Sequence, residues 1–227
     1  MFPVRDNIPS RRPPLVTVLL IMINSLIFFL FSETHPAVYA KILYKYGLIP
    51  VKITKLVISG APFSFDDLYP FITSIFLHGN MVHLISNMWV LWLFGDNVED
   101  RMGHLKFLIF YLACGIIAGI THLIFNPLLR VPVVGASGAI AGVMGAYFVL
   151  FPTARIITLV PTFFLVPVFI QIPAVVYLFL WFLTQLYSGT VYSVIGGAVV
   201  SGVAWWAHIG GFVAGVLLNR HFLKYRY

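Results

Sequence analysis

A chain of 227 residues that is 60% hydrophobic and only 9% charged cannot clothe a water-facing surface, because soluble domains carry about a quarter charged residues; lipid must be the solvent for most of it. The formal net charge of +7 would suit nucleic acid in a soluble protein. Here the basic residues flank apolar runs and lack aromatic interleaving, so they read as topology signals and lipid-headgroup contacts, with no nucleic-acid partner.

Residues 1–14 form a polar, proline-rich tail with Arg5, Arg11 and Arg12. The apolar run 15–31 has no small-residue cleavage site and reads as a retained first span, not a leader. The connection 32–78, which carries Lys41, Lys45, Lys52, Lys55, Asp66 and Asp67, has a length that is usually functional or partly structured; its apolar pieces suggest that it rests in the membrane interface. A second span at 79–94 leads into a charged hairpin, GDNVEDRMGH, and a third runs over 105–125. The single cysteine, Cys114, lies in that third run; it says nothing of redox compartment and reads as a small buried hydrophobe. After a turn with Pro127, Arg130 and Pro132 come a fourth span at 135–151, a fifth at 162–186 interrupted by Pro167 and Pro173, an uncharged Gly- and Ser-rich connection at 187–203, and a sixth span at 204–222.

Several of these runs approach the ~20 residues that cross a bilayer as a helix. The expected fold is an all-α, multi-pass membrane protein of six transmembrane helices, divided into a tail at 1–14, a membrane domain at 15–222 and a tail at 223–227. A cytoplasmic N-terminus puts Arg5, Arg11, Arg12, Arg101, Lys106, Arg155, Arg220, Lys224 and Arg226 inside, against five basic residues outside. The positive-inside bias therefore places both termini in the cytoplasm.

On this topology the second, fourth and sixth spans run the same way, and each bears polar residues near its outer end: His83 and Asn87, then Ser137, then His208. At 1.5 Å per residue, Ser137 stands roughly 20 Å above the inner end of its helix, and His83 and His208 roughly 16 Å above theirs. The three therefore share one level, beneath the outer surface of a ~30 Å hydrocarbon layer. A lone polar residue in a span commonly bonds a neighbouring helix, but ionisable groups at depth usually line a site, and three converging sets favour the site. His83 and Asn87, four apart, share a helix face. Gly211 and Gly215 are spaced like Gly138 and Gly142, and small residues four apart let membrane helices approach closely, which would carry His208 toward Ser137. Ser137 follows Gly135 where a loop enters a helix, and the free N–H groups there suit a developing oxyanion; a simple capping role is the competing reading. The G-x-S-x-G elbow does not apply, because glycine follows the serine directly and no sheet is indicated.

The segments FLHGNMVHLISN at 76–87, GASGAIAG at 135–142 and AHIGGFVAG at 207–215 resemble, in order and spacing, the rhomboid family of intramembrane serine proteases in its six-helix bacterial form. The resemblance implies a rhomboid bundle with a long first loop, in which Ser137 is the nucleophile and His208 its base. It further implies that His83 and Asn87 hold the oxyanion together with the Ser137 backbone N–H, that His78 is structural, and that Gly211 and Gly215 form a close-packing face. The fifth span and the 187–203 segment would form a gate, with transmembrane proteins in the bilayer of a bacterial inner membrane as substrates. Neither metal nor cofactor is implied, and with no span-embedded carboxylate near the imidazole the expectation is a Ser–His dyad. Two positions depart from the family pattern. Tyr69 and Pro70 stand where many members have Trp-Arg, and Ala141 stands where many have a tyrosine against the catalytic histidine, which leaves ring support to Trp205 or Trp206. Competing readings are an inactive relative that binds membrane clients, a haem protein using His78, His83, His122 or His208, and a transporter with a fifth span broken at its prolines.

Overall fold

The computed structural model describes residues 2–160, 168–195 and 202–224. Backbone amides in hydrocarbon must be satisfied within their own segment, and the apolar runs accordingly form helices. α1 (Leu15–Ser32) follows Pro13 and Pro14. Its first amides are capped from outside the helix: the Glu99 carboxylate accepts from Val16 N at 2.9 Å, Thr17 N at 2.8 Å and Thr17 Oγ1 at 2.7 Å. This places a negative group on the positive end of a helix dipole. The long connection is ordered into short helices, α2 (Pro36–Tyr46), α3 (Pro50–Ser59), α4 (Phe65–Leu68) and α5 (Pro70–Thr73), followed by a 3₁₀ turn at Ser74–Phe76. Three of the four open on proline, whose missing N–H is no loss in a first turn.

α6 (Met81–Met102) and α7 (His104–Phe125) meet at Gly103, whose φ of 81° suits glycine. The charged segment expected to form a hairpin is therefore the last two turns of α6. It stays helical because one face is buried: Asn97, Val98, Glu99 and Met102 are each at most 2% exposed. α8 (Ser137–Leu150) is the axis of the molecule, buried from Gly138 to Tyr147 and surrounded by α6, α7 and α10 (Trp205–Phe222). α9 (Ala174–Ile195) lies outside this group, against α10 and α8.

Among the described residues three helices, α1, α7 and α9, are long and apolar enough to cross a membrane, and α4 through α6 make a fourth candidate bent by 78°. α8 is apolar but only 14 residues long. Leu19, Met22, Leu26 and Phe29 on α1, and Val176, Phe179, Leu180 and Leu183 on α9, are exposed. Apolar surface on this scale needs lipid or a partner to cover it, and this is an integral membrane protein.

The chain is mostly helical but not wholly so. β1 (Phe2–Asp6), β2 (Arg155–Val160) and β3 (Val168–Pro173) form an antiparallel sheet in the order β1-β2-β3. Phe2 pairs with Leu159 and Asp6 with Ile156; Arg155 pairs with Pro173 and Val160 with Val168. Ile156 and Thr158 are fully buried, as alternation along a half-buried strand requires. Residues 168–173, expected inside a fifth span, are thus a strand. Pro173 ends that strand ahead of α9 and does not kink a helix, which removes the broken-span argument for a transporter at that residue. Pro167 and the expected span start at 162 lie outside the described residues. Residues 187–195, expected in a loop, are the last turns of α9; residues 196–201 of that connection and Arg226 also lie outside the described residues.

Candidate functional site

Ser137 opens α8, and the loop before it is pinned from two sides. Leu48 and Val133 exchange backbone hydrogen bonds of 3.1 and 2.8 Å, and Gly135 N donates to the Ser74 carbonyl at 2.9 Å. Gly135 has a φ of +130°, and a Cβ there would lie 2.7 Å from both Cε1 and Nε2 of His83. Only glycine satisfies both the backbone and the ring beside it.

His208 lies in the first turn of α10, and glycines set how near it comes. A side chain at Gly211 would run into the Gly138 carbonyl, and one at Gly215 into the Gly142 carbonyl. On the reverse faces Gly138 abuts Ala118 and Gly142 abuts Cys114. With the two backbones in contact, His208 Nε2 lies 2.8 Å from Ser137 Oγ. The other ring nitrogen, Nδ1, is 2.9 Å from Oε1 of Gln185 on α9. Gln185 is itself buried, and its amide Nε2 donates to the Trp181 carbonyl at 3.2 Å and to Thr184 Oγ1 at 3.1 Å. With its NH₂ so engaged, Gln185 turns its carbonyl oxygen to the imidazole. Nδ1 then carries the proton, and Nε2 is left to accept from the serine hydroxyl.

The ring support expected from Trp205 or Trp206 is divided differently. Trp205 sits edge-on at 6.2 Å from the His208 ring and Trp181 lies at 6.0 Å. Trp206 turns away, stacks on Phe125 at 3.7 Å and donates to Ser193 Oγ. Ala141 is buried close to Gly211. Tyr69 donates to the Lys45 carbonyl and packs against Tyr46 and Phe65, while Pro70 simply starts α5.

A cavity of about 500 Å³ is lined by Ser137, His208, His83 and Asn87, with Ser86, His122, Val131, Val134 and Val203 among its other walls. Asn87 is 7% exposed, and its Nδ2 makes no hydrogen bond among the described residues. It would lie 3.7 Å from a Cβ at Gly135, which puts an unspent buried donor beside the start of α8. His78 does not line this cavity. It is buried behind His83, ring centroids 5.0 Å apart, and its carbonyl accepts from the Tyr39 hydroxyl. Gly138, Gly211 and Gly215 are packing positions with no place in the cavity wall. Among the described residues no group of three or more His, Cys, Asp or Glu side chains converges as a metal site would need. Sequence reasoning passed over Gln185, a lone amide in an apolar run whose only signal was its polarity.

A rhomboid domain family model matches residues 66–225. The chain is 35% identical over 133 residues to the rhomboid protease GluP of Bacillus subtilis, covering 59% of this chain and 24% of that protein. It is 35% identical over 95 residues to presenilin-associated rhomboid-like protein A, mitochondrial, of Danio rerio, covering 40% and 25%. It is 37% identical over 93 residues to rhomboid protein 1, mitochondrial, of Saccharomyces cerevisiae, covering 39% and 27%. The chain thus spans about a quarter of the length of each of these relatives.

Proposed function

The chain belongs to the rhomboid family, and we propose that it is an intramembrane serine endopeptidase in which Ser137 attacks the peptide bond and His208 moves the proton. The observation that carries this reading is the 2.8 Å contact between Ser137 Oγ and His208 Nε2 at the wall of a cavity. Gln185 holds the Nδ1–H tautomer, so Nε2 takes the hydroxyl proton as Oγ bonds to the substrate carbonyl carbon. The carbonyl π electrons move to oxygen, and that oxyanion meets the Asn87 amide, His83 and the Ser137 N–H, which as a first-turn amide has no intrahelical acceptor. His208 then gives its proton to the departing amine. Water, deprotonated by the same nitrogen, releases the acyl group and restores Ser137. The third group is a neutral amide, so this is a Ser–His dyad with an orienting partner and not a charged triad.

In this reading six segments cross the bilayer: α1, the bent α4–α6 unit, α7, α8, α9 and α10. Both termini face the cytoplasm, and the bacterial inner membrane is the setting. Arg11, Arg12, Arg101, Lys106 and Lys224 gather at the end of the molecule away from Ser137, which fits the positive-inside rule. Substrates are transmembrane proteins cut near the outer end of a span, at residues that unwind the helix and bare a carbonyl. The alternative, an inactive relative that binds membrane clients, leaves the Ser137–His208 contact without a purpose.

The test is incubation of the purified chain in detergent with a transmembrane substrate. Wild-type protein should yield discrete fragments, and a fluorophosphonate should label Ser137 in the mass spectrum. Ser137→Ala should lower cleavage by at least about a thousandfold. Cleavage that survives in that variant would overturn the assignment.

A further inference from the structure

At the end of the molecule opposite Ser137 is a second cavity, of about 340 Å³, within the range of about 300–1,000 Å³ usual for small-ligand sites. Four chain segments build it: the stretch ahead of α1, the last turns of α6, Phe151 just after α8, and the residues after α10. Its polar wall is mainly Arg11, Arg12, Arg101 and Lys224, with Asp100 as the one carboxylate among the described lining residues. Asp100 is already engaged, accepting from Arg11 N at 3.4 Å. Among the described residues no carboxylate pairs with the guanidinium of Arg11, Arg12 or Arg101.

A topology signal needs positive charge on one side of the membrane; it does not need that charge gathered round a hollow, where like charges repel. The cavity is also built. Lys224 N donates to the Arg101 carbonyl at 3.1 Å and Lys106 Nζ to the Leu223 carbonyl at 3.0 Å, which fixes the residues just after α10 against α6 and α7. The Arg101 guanidinium lies 5.6 Å over the Phe151 ring, a contact that steadies it without neutralising it. Phe151 and Leu223 supply an apolar side to the same hollow.

We infer that this cavity binds a phosphate group, monoester or diester, with Arg12 and Arg101 as its principal ligands. Guanidinium forks match phosphate oxygens two at a time, and basic pockets between membrane helices hold lipid headgroups. Two sources share this chemistry, an anionic phospholipid and a free phosphate, and the apolar wall gives acyl chains a way out.

The test uses the full chain in a neutral maltoside detergent at constant ionic strength. Dioctanoyl phosphatidylglycerol, dioctanoyl phosphatidylcholine and inorganic phosphate are titrated separately, with native mass spectrometry and Tm as readouts. Phosphatidylglycerol or phosphate should bind and raise Tm, and phosphatidylcholine should do neither. Arg12→Gln/Arg101→Gln should weaken binding at least tenfold, with the single Arg12→Gln intermediate should the double variant not fold. Lys41→Gln/Lys45→Gln, which removes the same charge from α2, should leave binding unchanged. Binding of phosphatidylglycerol alone identifies the lipid as the source, and equal binding of phosphate shows that the group itself suffices. The inference is overturned by no binding of either anion, by equal binding of phosphatidylcholine, by unchanged binding in the arginine variants, or by an equal loss in the lysine control.

Discussion

At the scale of single residues, the site turns on which nitrogen of His208 is free. An imidazole that donates from Nδ1 to Gln185 presents a bare Nε2 to Ser137; without that acceptor the proton can sit on either nitrogen and the ring can turn. Gln185→Leu should therefore lower kcat by about tenfold, the worth of one neutral hydrogen bond, while KM and Tm stay near wild-type values. Gln185→Glu, which keeps an acceptor at Nδ1, should restore most of the rate. An equal loss in both variants, or a rise in KM alone, would give Gln185 a structural role only. Ser137, His208, His83 and Asn87 were legible because each is a costly polar group at depth with a recognisable spacing. Gln185 was not, because an amide 23 residues from the histidine it serves announces no partner until α9 is laid against α10. Ala141 pointed only to a missing ring, and the support in its place comes from Gln185, Trp181 and Trp205, contributed by two helices.

Between elements, the decisive contact is backbone on backbone. Gly211 and Gly215 of α10 rest on the carbonyls of Gly138 and Gly142 of α8, so the interface cannot give way by a side-chain rotation. Gly215→Leu has to push the helices apart. The expected cost is about 1–3 kcal/mol or more, read as a lower Tm, with loss of cleavage as His208 is carried off Ser137. Gly79→Ala, with nothing within 4 Å of the added carbon, should melt like wild type. If Gly215→Leu also melts like wild type, the close-packing account fails. This interface was readable from the four-residue spacing, as were α1, α7, α8 and α10 from their apolar runs. The sheet was not. In a chain this apolar, the segment 168–173 looks like a piece of a span and 155–160 like the connection before it, and only the pairing of β1 with β2 and of β2 with β3 decides otherwise. The charged end of α6 misled in the opposite direction: Glu99 reads as a loop residue until α1 arrives with its uncapped amides.

Across the whole molecule the two ends are built differently, with the Ser137 cavity at one end and, at the other, a polar network beside the basic cavity. Asp6, at the end of β1, is the hub of that network. Its carboxylate accepts from the Tyr147 hydroxyl, from Asn97 Nδ2 at 2.9 Å and from Ile8 N at 3.3 Å. Nearby, Trp89 Nε1 donates to the Pro3 carbonyl at 2.8 Å and Arg155 N to Asn7 Oδ1 at 2.7 Å. One strand thus joins α6, α8 and β2. The network is not free of strain in charge: burial raises the Asp6 carboxyl above its usual 3.8, and the Tyr147 hydrogen bond offsets this only in part. An acid that titrates higher in the folded state than in the unfolded state binds its proton more tightly when folded. Its contribution to stability is full below 3.8 and is lost as pH rises through the folded value. Asp6→Asn removes that titration while keeping one acceptor oxygen for Tyr147. At pH 4 the variant should melt below wild type, having exchanged an acceptor for a donor. As pH rises toward 7 the gap should narrow, by about 2–4 °C for each kcal/mol recovered. A gap that stays constant over that range, or widens, would show that the folded protein carries the Asp6 charge without penalty.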